Sequence, residues 1–170
     1  MIGASEFASA VQEDQPTIDV MNAIGLDASA VGNHEFDRGW DDLLNRVIDN
    51  GTNAAWDYLG ANVYEKGTET PVLPSYMTYD INGVTVGVIG AVTAETTSLV
   101  SPAGISTLDF GDPIDAVNRV AGELSDGNGA NGEADVIVAT FHQGAQVGVG
   151  STFEAEVAKG GEFAEMVNLD

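Results

Sequence analysis

The sequence predicts an α/β fold in which mixed β-sheets are flanked by helices. Strand-like apolar runs alternate along the chain with stretches of helical periodicity, the arrangement that places helices against a sheet. Asn82-Gly83 separates two β-rich runs, and this dipeptide is the strongest short hairpin signal. The run from Asp135 to Phe141 is uniformly apolar in its middle, which is typical of a central strand.

Helical and extended patterns alternate in the first half of the chain. Apolar residues between 18 and 26 have helical spacing, and Leu26 to Val31 then predicts a short buried strand. Residues 40–48 place apolar side chains at i, i+3, i+4, i+7 and i+8, which indicates an amphipathic helix. Tyr58 to Val63 is the next predicted strand.

The second half adds a hairpin and further helices. Tyr76 to Ile81 and Val84 to Val92 are the strands on either side of the predicted turn. Asp112-Pro113 predicts a helix start, because an N-cap acid followed by proline suits the first turn. Residues 153–167 form a weaker helical pattern that Gly160-Gly161 interrupts.

Composition limits the classes of function. The 170 residues suit one domain, and 27 Asp and Glu against 5 Lys and Arg give a net charge of −22. This charge argues against a nucleic-acid partner, and it would repel any anionic substrate unless bound cations reversed the local field. Acidity therefore fits a metal-dependent site, although many proteins are acidic for solubility alone. The absence of cysteine excludes thiolate zinc sites and cysteine nucleophiles. No apolar stretch is long enough to span a membrane.

The only two histidines follow strand-like runs. His34 lies in Gly32-Asn33-His34-Glu35-Phe36-Asp37-Arg38-Gly39, and His142 lies in Phe141-His142-Gln143-Gly144-Ala145. Ligand sites of open α/β sheets form outside the carboxyl ends of strands, so both imidazoles stand where a metal site would form. Further ligands of this kind are too few in the sequence to complete such a site in an obvious way.

Asp37 is three residues after His34, a spacing with a chemical consequence. If the chain turns there, the Asp37 carboxylate accepts a hydrogen bond from the imidazole, which fixes its tautomer and suits it to acid catalysis. Two plainer interpretations stay open. The Asn33-His34-Glu35 segment is then a polar turn between strand and helix, and His142 merely ends a core strand.

These segments resemble a known family. Gly32 to Asp37 is similar to the G-N-H-E-F-D block of calcineurin-like metallophosphoesterases, and the longer run Pro16 to Gly39 resembles bacterial 5′-nucleotidases, UDP-sugar hydrolases and 2′,3′-cyclic phosphodiesterases. Four further stretches match in the same order: Leu59 to Val63, Val86 to Gly90, Thr93 to Thr97 and Phe141 to Ala145. The resemblance implies an αββα sandwich and a hydrolase of phosphoric esters.

The resemblance also implies roles for four residues. Asn33 and His142 would be ligands of one metal ion, His34 would stabilise the phosphoryl charge or protonate the leaving oxygen, and Asp37 would orient His34. The implied cofactors are two divalent ions (Mn, Zn, Co or Mg), and the implied substrate is a nucleotide or another small phosphoester. An extracellular, periplasmic or cell-surface location follows by the same resemblance, although no signal peptide opens this sequence.

The sequence departs from the family pattern at both ends. The opening Asp-x-His and Gly-Asp blocks and the closing Gly-His-x-His block are missing, as is the C-terminal nucleotide-binding domain. Residues 1–170 are therefore expected to be an internal part of one N-terminal catalytic domain. We expect this part to be inactive alone, to bind no ion or one weakly, and to dimerise through exposed sheet edges. The alternative is a non-catalytic module of the same fold, depleted of ligands, that acts in structure or protein binding; a different phosphoester or sulfur-ester substrate is a third reading.

Overall fold

The computed structural model describes residues 1–145 and 147–168. Its strands are β1 (Ala28–Ala30), β2 (Asp57–Leu59), β3 (Val63–Glu65), β4 (Tyr76–Ile81), β5 (Val84–Val92), β6 (Leu108–Phe110) and β7 (Val136–His142). Its α-helices are α1 (Phe7–Ala10), α2 (Gln15–Ile24), α3 (Trp40–Asp42), α4 (Thr96–Leu99), α5 (Pro113–Glu123), α6 (Phe153–Lys159) and α7 (Glu162–Val167). No helix among the described residues has the length and apolar character that crossing a bilayer requires.

The strands form three small sheets. β1 pairs with β2 in parallel, β3 pairs with β6 in antiparallel, and β5 pairs with β4 in antiparallel and with β7 in parallel. The mixed α/β class expected from the sequence is confirmed. The hairpin is confirmed as well, since Ile81 and Val84 pair on either side of Asn82-Gly83.

The position of β7 differs from the sequence expectation. In the order β4–β5–β7 the central strand is β5, and β7 lies at the edge of this three-stranded sheet. Val136 and Val138 of β7 are 47% and 41% exposed. The prediction of a central strand from the apolar run was wrong, because an apolar composition does not reveal how many neighbours a strand has.

Two other elements are less regular than predicted. The helix at residues 40–48 begins as α3 and continues as a wider π-helical segment, Leu43–Ile48. The predicted strand Tyr58–Val63 is divided into β2 and β3, and Asn62 between them is fully buried. Its side-chain amide donates to the carbonyls of Val92 (2.7 Å) and Gly111 (2.8 Å), while its oxygen accepts from Val92 N–H (3.0 Å). These bonds hold the chain where it passes from one sheet to the next.

The core has two parts. One lies beneath α2 and around Phe36, and includes the fully buried Ile18, Val31 and Leu43. The other lies between α5 and the three-stranded sheet, and includes Ile89 and Val120. Helix α5 starts where the sequence predicts, because the Asp112 side chain accepts from the N–H groups of Ile114 (2.8 Å) and Asp115 (3.0 Å).

Candidate active site

A short turn after β1 carries the first group of predicted site residues. Asn33–Phe36 form a single 3₁₀ turn, and its last residue, Phe36, is fully buried. The Phe36 ring contacts Phe110 edge to face with ring centroids 5.2 Å apart. The buried Phe36 ring anchors the end of the turn and so restrains the backbone from which the polar side chains before it project.

His34 and Asp37 meet as their spacing suggests. The distance from His34 Nδ1 to Asp37 Oδ2 is 2.8 Å, and the two side chains are 47% and 36% exposed. A carboxylate acceptor at Nδ1 favours a proton on that nitrogen and leaves Nε2 free to face a ligand. This contact is the one expected from the turn; the catalytic roles of both residues stay predictions.

His142 ends β7 and reaches the same turn. Its backbone pairs with Val92 across the parallel ladder, and Thr93 N–H donates to its carbonyl at 3.0 Å. The distance from His142 Nε2 to Asn33 Oδ1 is 2.8 Å, although 109 positions separate the two residues. The structure therefore brings together the two residues that the resemblance assigned to one metal ion.

A glycine makes this approach feasible. A Cβ placed on Gly32 would lie 2.7 Å from His142 Nδ1 and 2.9 Å from Glu35 Oε2. Any side chain there would displace the imidazole or the carboxylate. Partial burial lowers the pKa of His142 below its ordinary value, the Glu35 carboxylate acts in the opposite direction, and the Met1 amino group and His34 add to the lowering. The lowered pKa favours the neutral form of the ring, which is the form that can coordinate a metal ion.

An open cavity of about 570 Å³ adjoins Asn33 and His142. The cavity is lined by Asn33, Thr93, Glu95, Leu99, His142, Gln143, Gly144 and Ala145. Sequence reasoning gave no role to Glu95 and Gln143, and the only signal for Glu95 was its place in the stretch Thr93 to Thr97. It also gave no role to Glu35, which is only 2% exposed.

The donors suit a divalent cation in kind but not in number. An amide oxygen and a neutral imidazole nitrogen are common ligands of Mn²⁺, Zn²⁺ or Co²⁺. Among residues 1–145 and 147–168, no group of three or more His, Asp and Glu side chains is arranged to hold a metal ion. Hard divalent cations normally draw on several ligands, carboxylates included. Asn33 and His142 alone therefore do not make a complete site for such an ion.

Comparison with known proteins agrees with the family resemblance. No protein-family model matches the sequence. The Endonuclease YhcR of Bacillus subtilis (strain 168) is 40% identical over 133 residues, which are 73% of this chain and 11% of that protein. The 5′-nucleotidase of Vibrio vulnificus (strain CMCP6) is 34% identical over 136 residues, which are 80% of this chain and 23% of that protein.

A solved structure extends the likeness to the fold. The calcineurin-like phosphoesterase YfkN from Bacillus subtilis superposes with a TM-score of 0.62 at 28% identity, over 85% of this chain and 46% of that one. The chain therefore spans less than half of each of these three proteins.

Proposed function

For a chain whose homologues are 5′-nucleotidases and calcineurin-like phosphoesterases, we propose that it is part of a metal-dependent phosphohydrolase that removes phosphate from nucleotides. The hydrolase would act outside the cytoplasm, in the periplasm or at the cell surface. Residues 1–170 would belong to its catalytic domain, and a separate domain would bind the nucleotide.

One observation carries this proposal. Asn33 and His142 come from segments 109 positions apart, and their side chains meet at 2.8 Å beside an open polar cavity. The His34–Asp37 pair lies on the same turn as Asn33. A pair of candidate metal ligands next to an imidazole held by a carboxylate supports metal-assisted hydrolysis of a phosphoester.

Each residue has a distinct task in the proposed reaction. Asn33 and His142 would hold one divalent cation, which polarises a phosphoryl oxygen when bound. Asp37 would accept from His34 Nδ1–H and so direct Nε2 toward the substrate. His34 would then stabilise negative charge on the phosphoryl group or give a proton to the leaving oxygen.

Two candidate substrates, a polynucleotide and a small phosphoester, differ in size. The 40% identity to a protein named an endonuclease favours a polynucleotide. The net charge of −22 favours a small phosphoester, because a polyanion needs many cationic contacts and the sequence has only 5 Lys and Arg. We therefore place a mononucleotide first.

The isolated chain is expected to be inactive. Among the described residues no group of three or more His, Asp and Glu side chains is arranged to hold a metal ion, and Asn33 and His142 by themselves are only two neutral ligands. Ligands from outside this chain would be needed, which fits a chain that spans 23% of a 5′-nucleotidase.

The proposal is tested by comparing phosphate release from a nucleoside monophosphate, in the presence of Mn²⁺ or Co²⁺, by this chain and by a longer protein that encloses it. We expect activity from the longer protein alone. In that protein His34→Asn should lower kcat by roughly 10²–10⁴-fold, the usual contribution of general acid–base catalysis, with metal content retained.

Four outcomes would contradict parts of this account. Equal rates from both proteins would show that the described residues suffice for catalysis. A loss below about threefold in His34→Asn would remove His34 from the chemistry, since it falls far short of the expected range. An inactive longer protein would favour the non-catalytic module, and cleavage of single-stranded DNA in place of the nucleotide would favour the endonuclease.

A further inference from the structure

Glu35 is a buried carboxylate that the proposed reaction does not use. The residue is 2% exposed, and its two oxygens point to different parts of the chain. Oε2 accepts from Gly32 N–H at 2.8 Å, and Oε1 accepts from Ile2 N–H at 3.0 Å. The amino group of Met1 also bonds Oε1. A buried charge is tolerated only where donors of this kind satisfy it.

The Gly32 bond lies directly behind the ligand pair. The position that a Gly32 Cβ would occupy is 2.7 Å from His142 Nδ1 and 2.9 Å from Glu35 Oε2. Glu35 thus fixes the backbone against which the His142 imidazole rests. A shift of Gly32 would move Asn33, the next residue, and would change the space available to His142.

The hydrogen bond from Ile2 N–H to Glu35 positions a second segment, residues 2–3, against the His34–Asp37 pair. Gly3 follows Ile2 and has φ +76°, and a Cβ there would lie 2.3 Å from the His34 carbonyl oxygen and 2.8 Å from Asp37 Oδ2. Residues 2–3 therefore pack directly against His34 and Asp37. Only glycine allows this approach, both for its conformation and for its lack of a side chain.

Asp14 also holds the segment that contains residues 2–3. It is 2% exposed, and its carboxylate accepts from Gly3 N–H at 3.3 Å and from the Ser5 hydroxyl. Its own φ is +65°, a conformation that a non-glycine residue keeps only where its surroundings fix it. Asp14 touches the residue 2–5 segment and makes no contact of this kind with Gly32.

We propose that Glu35 is a positioning residue that joins the two halves of the site, holding Gly32 behind the Asn33–His142 pair and Ile2 beneath the His34–Asp37 pair. Asp14 supports only the second half. This inference deepens the proposed function, on which its meaning for catalysis rests. The geometry it describes is measurable without turnover.

The test uses ¹⁵N-labelled protein of residues 1–170 and variants Glu35→Gln and Asp14→Asn. A glutamine side chain offers one acceptor oxygen and one amide NH₂ group, which can only donate, so one of the two backbone N–H groups must lose its acceptor. We expect Glu35→Gln to speed hydrogen exchange at Ile2 or Gly32 by roughly tenfold or more, the size expected when a bond to a charged group is lost. The imidazole ¹⁵N shifts of both His34 and His142, which report tautomer, should change.

Asp14→Asn should alter the His34 resonances and leave those of His142 in place. Glu154→Gln, the same chemical change at an exposed carboxylate of α6, is the matched control and should alter neither histidine. If Glu35→Gln does not fold, Gly3→Ala carries the test, because its Cβ would push against the His34 carbonyl and Asp37 and should shift the His34 signals.

Unchanged histidine signals in a folded Glu35→Gln protein would overturn the inference. So would an Asp14→Asn protein whose His142 signals move as much as those of His34. If neither Glu35→Gln nor Gly3→Ala folds, exchange at Gly32 in the unaltered protein decides: fast exchange contradicts the inference, and protection close to that of the core supports it. None of these results depends on phosphatase activity, so a failure of the proposed function is seen separately.

Discussion

Tyr58 shows how one residue can stabilise the fold with its ring and oppose it with its hydroxyl. The side chain is 2% exposed and its ring lies against Trp56, with centroids 5.3 Å apart. Its hydroxyl has no hydrogen-bond partner among the described residues. Burial raises the pKa of Tyr58, and the carboxylates of Glu35 and Asp14 raise it further. A buried hydroxyl without a partner carries a desolvation cost.

Tyr58→Phe should therefore leave the protein at least as stable as before. The substitution keeps the ring contacts and removes an unsatisfied polar group, so we expect the free energy of unfolding to rise by about 0–2 kcal/mol. Urea denaturation measures the change. A loss of more than about 1 kcal/mol would mean that the hydroxyl makes a net favourable interaction.

Tyr58 also predicts how the stability of the fold changes at alkaline pH. In the unfolded chain tyrosine ionises near its ordinary pKa of about 10, whereas the folded state keeps Tyr58 protonated. The unfolded state then binds fewer protons above that pH, so stability falls as pH rises through 10 and above. Tyr58→Phe should make this fall shallower.

Sequence reasoning at the residue scale succeeded where the signal was local. The His34–Asp37 contact follows from a spacing of three across a turn. The meeting of Asn33 and His142 spans 109 positions, and only the family resemblance indicated it. The burial of Glu35 could not be predicted, because carboxylates usually lie on the surface and nothing in the sequence marks a backbone N–H as their partner.

At the scale of elements, the edge strand β7 lacks the features that usually protect an exposed strand edge from pairing with another chain. Its sequence from Val136 to Phe141 contains no charged residue and no proline, and these are the residues that usually keep an exposed edge strand from pairing with another chain. Val136 and Val138 are 47% and 41% exposed on one face of the strand. An apolar edge strand without charged residues or proline is a template for pairing with another chain.

We expect the isolated chain to self-associate through β7 and Val138→Lys to weaken that association. Lysine on an edge strand opposes pairing by placing a charge where another strand would lie. Multi-angle light scattering over a range of concentrations measures the effect. Val11→Lys, which adds the same charge at an exposed residue of a different surface, is the control and should behave as the unaltered chain.

A chain that is monomeric at all concentrations would contradict this expectation, as would equal association by both lysine variants. Since each copy carries a charge of −22, added salt should strengthen the association by screening repulsion.

The elements also show which sequence signals are reliable. The Asn82-Gly83 hairpin and the α5 start at Asp112 were predicted correctly, because a turn dipeptide and an N-cap act through their nearest neighbours. The edge position of β7 and the widened helical segment Leu43–Ile48 were not predicted. Both depend on what packs against the element, which an apolar pattern does not record.

At the scale of the whole molecule, charge and topology act together. Parallel pairing of β5 with β7 carries His142 to the turn after β1, where Asn33 lies. The sequence has 27 acidic and 5 basic residues, so the protein attracts cations and repels free phosphoesters. A bound cation would therefore reverse the local field for an anionic substrate.

The most direct test of the account is a titration of the ¹⁵N-labelled chain with Mn²⁺, observed as paramagnetic broadening of side-chain signals. Substoichiometric Mn²⁺ should broaden the Asn33 amide and the His142 imidazole before it affects acidic residues elsewhere, such as Glu154 on α6. His142→Ala should abolish this selectivity while the fold is retained. Broadening spread over the acidic surface, with Asn33 and His142 unaffected and the variant indistinguishable, would show that the two residues are not a pair of metal ligands.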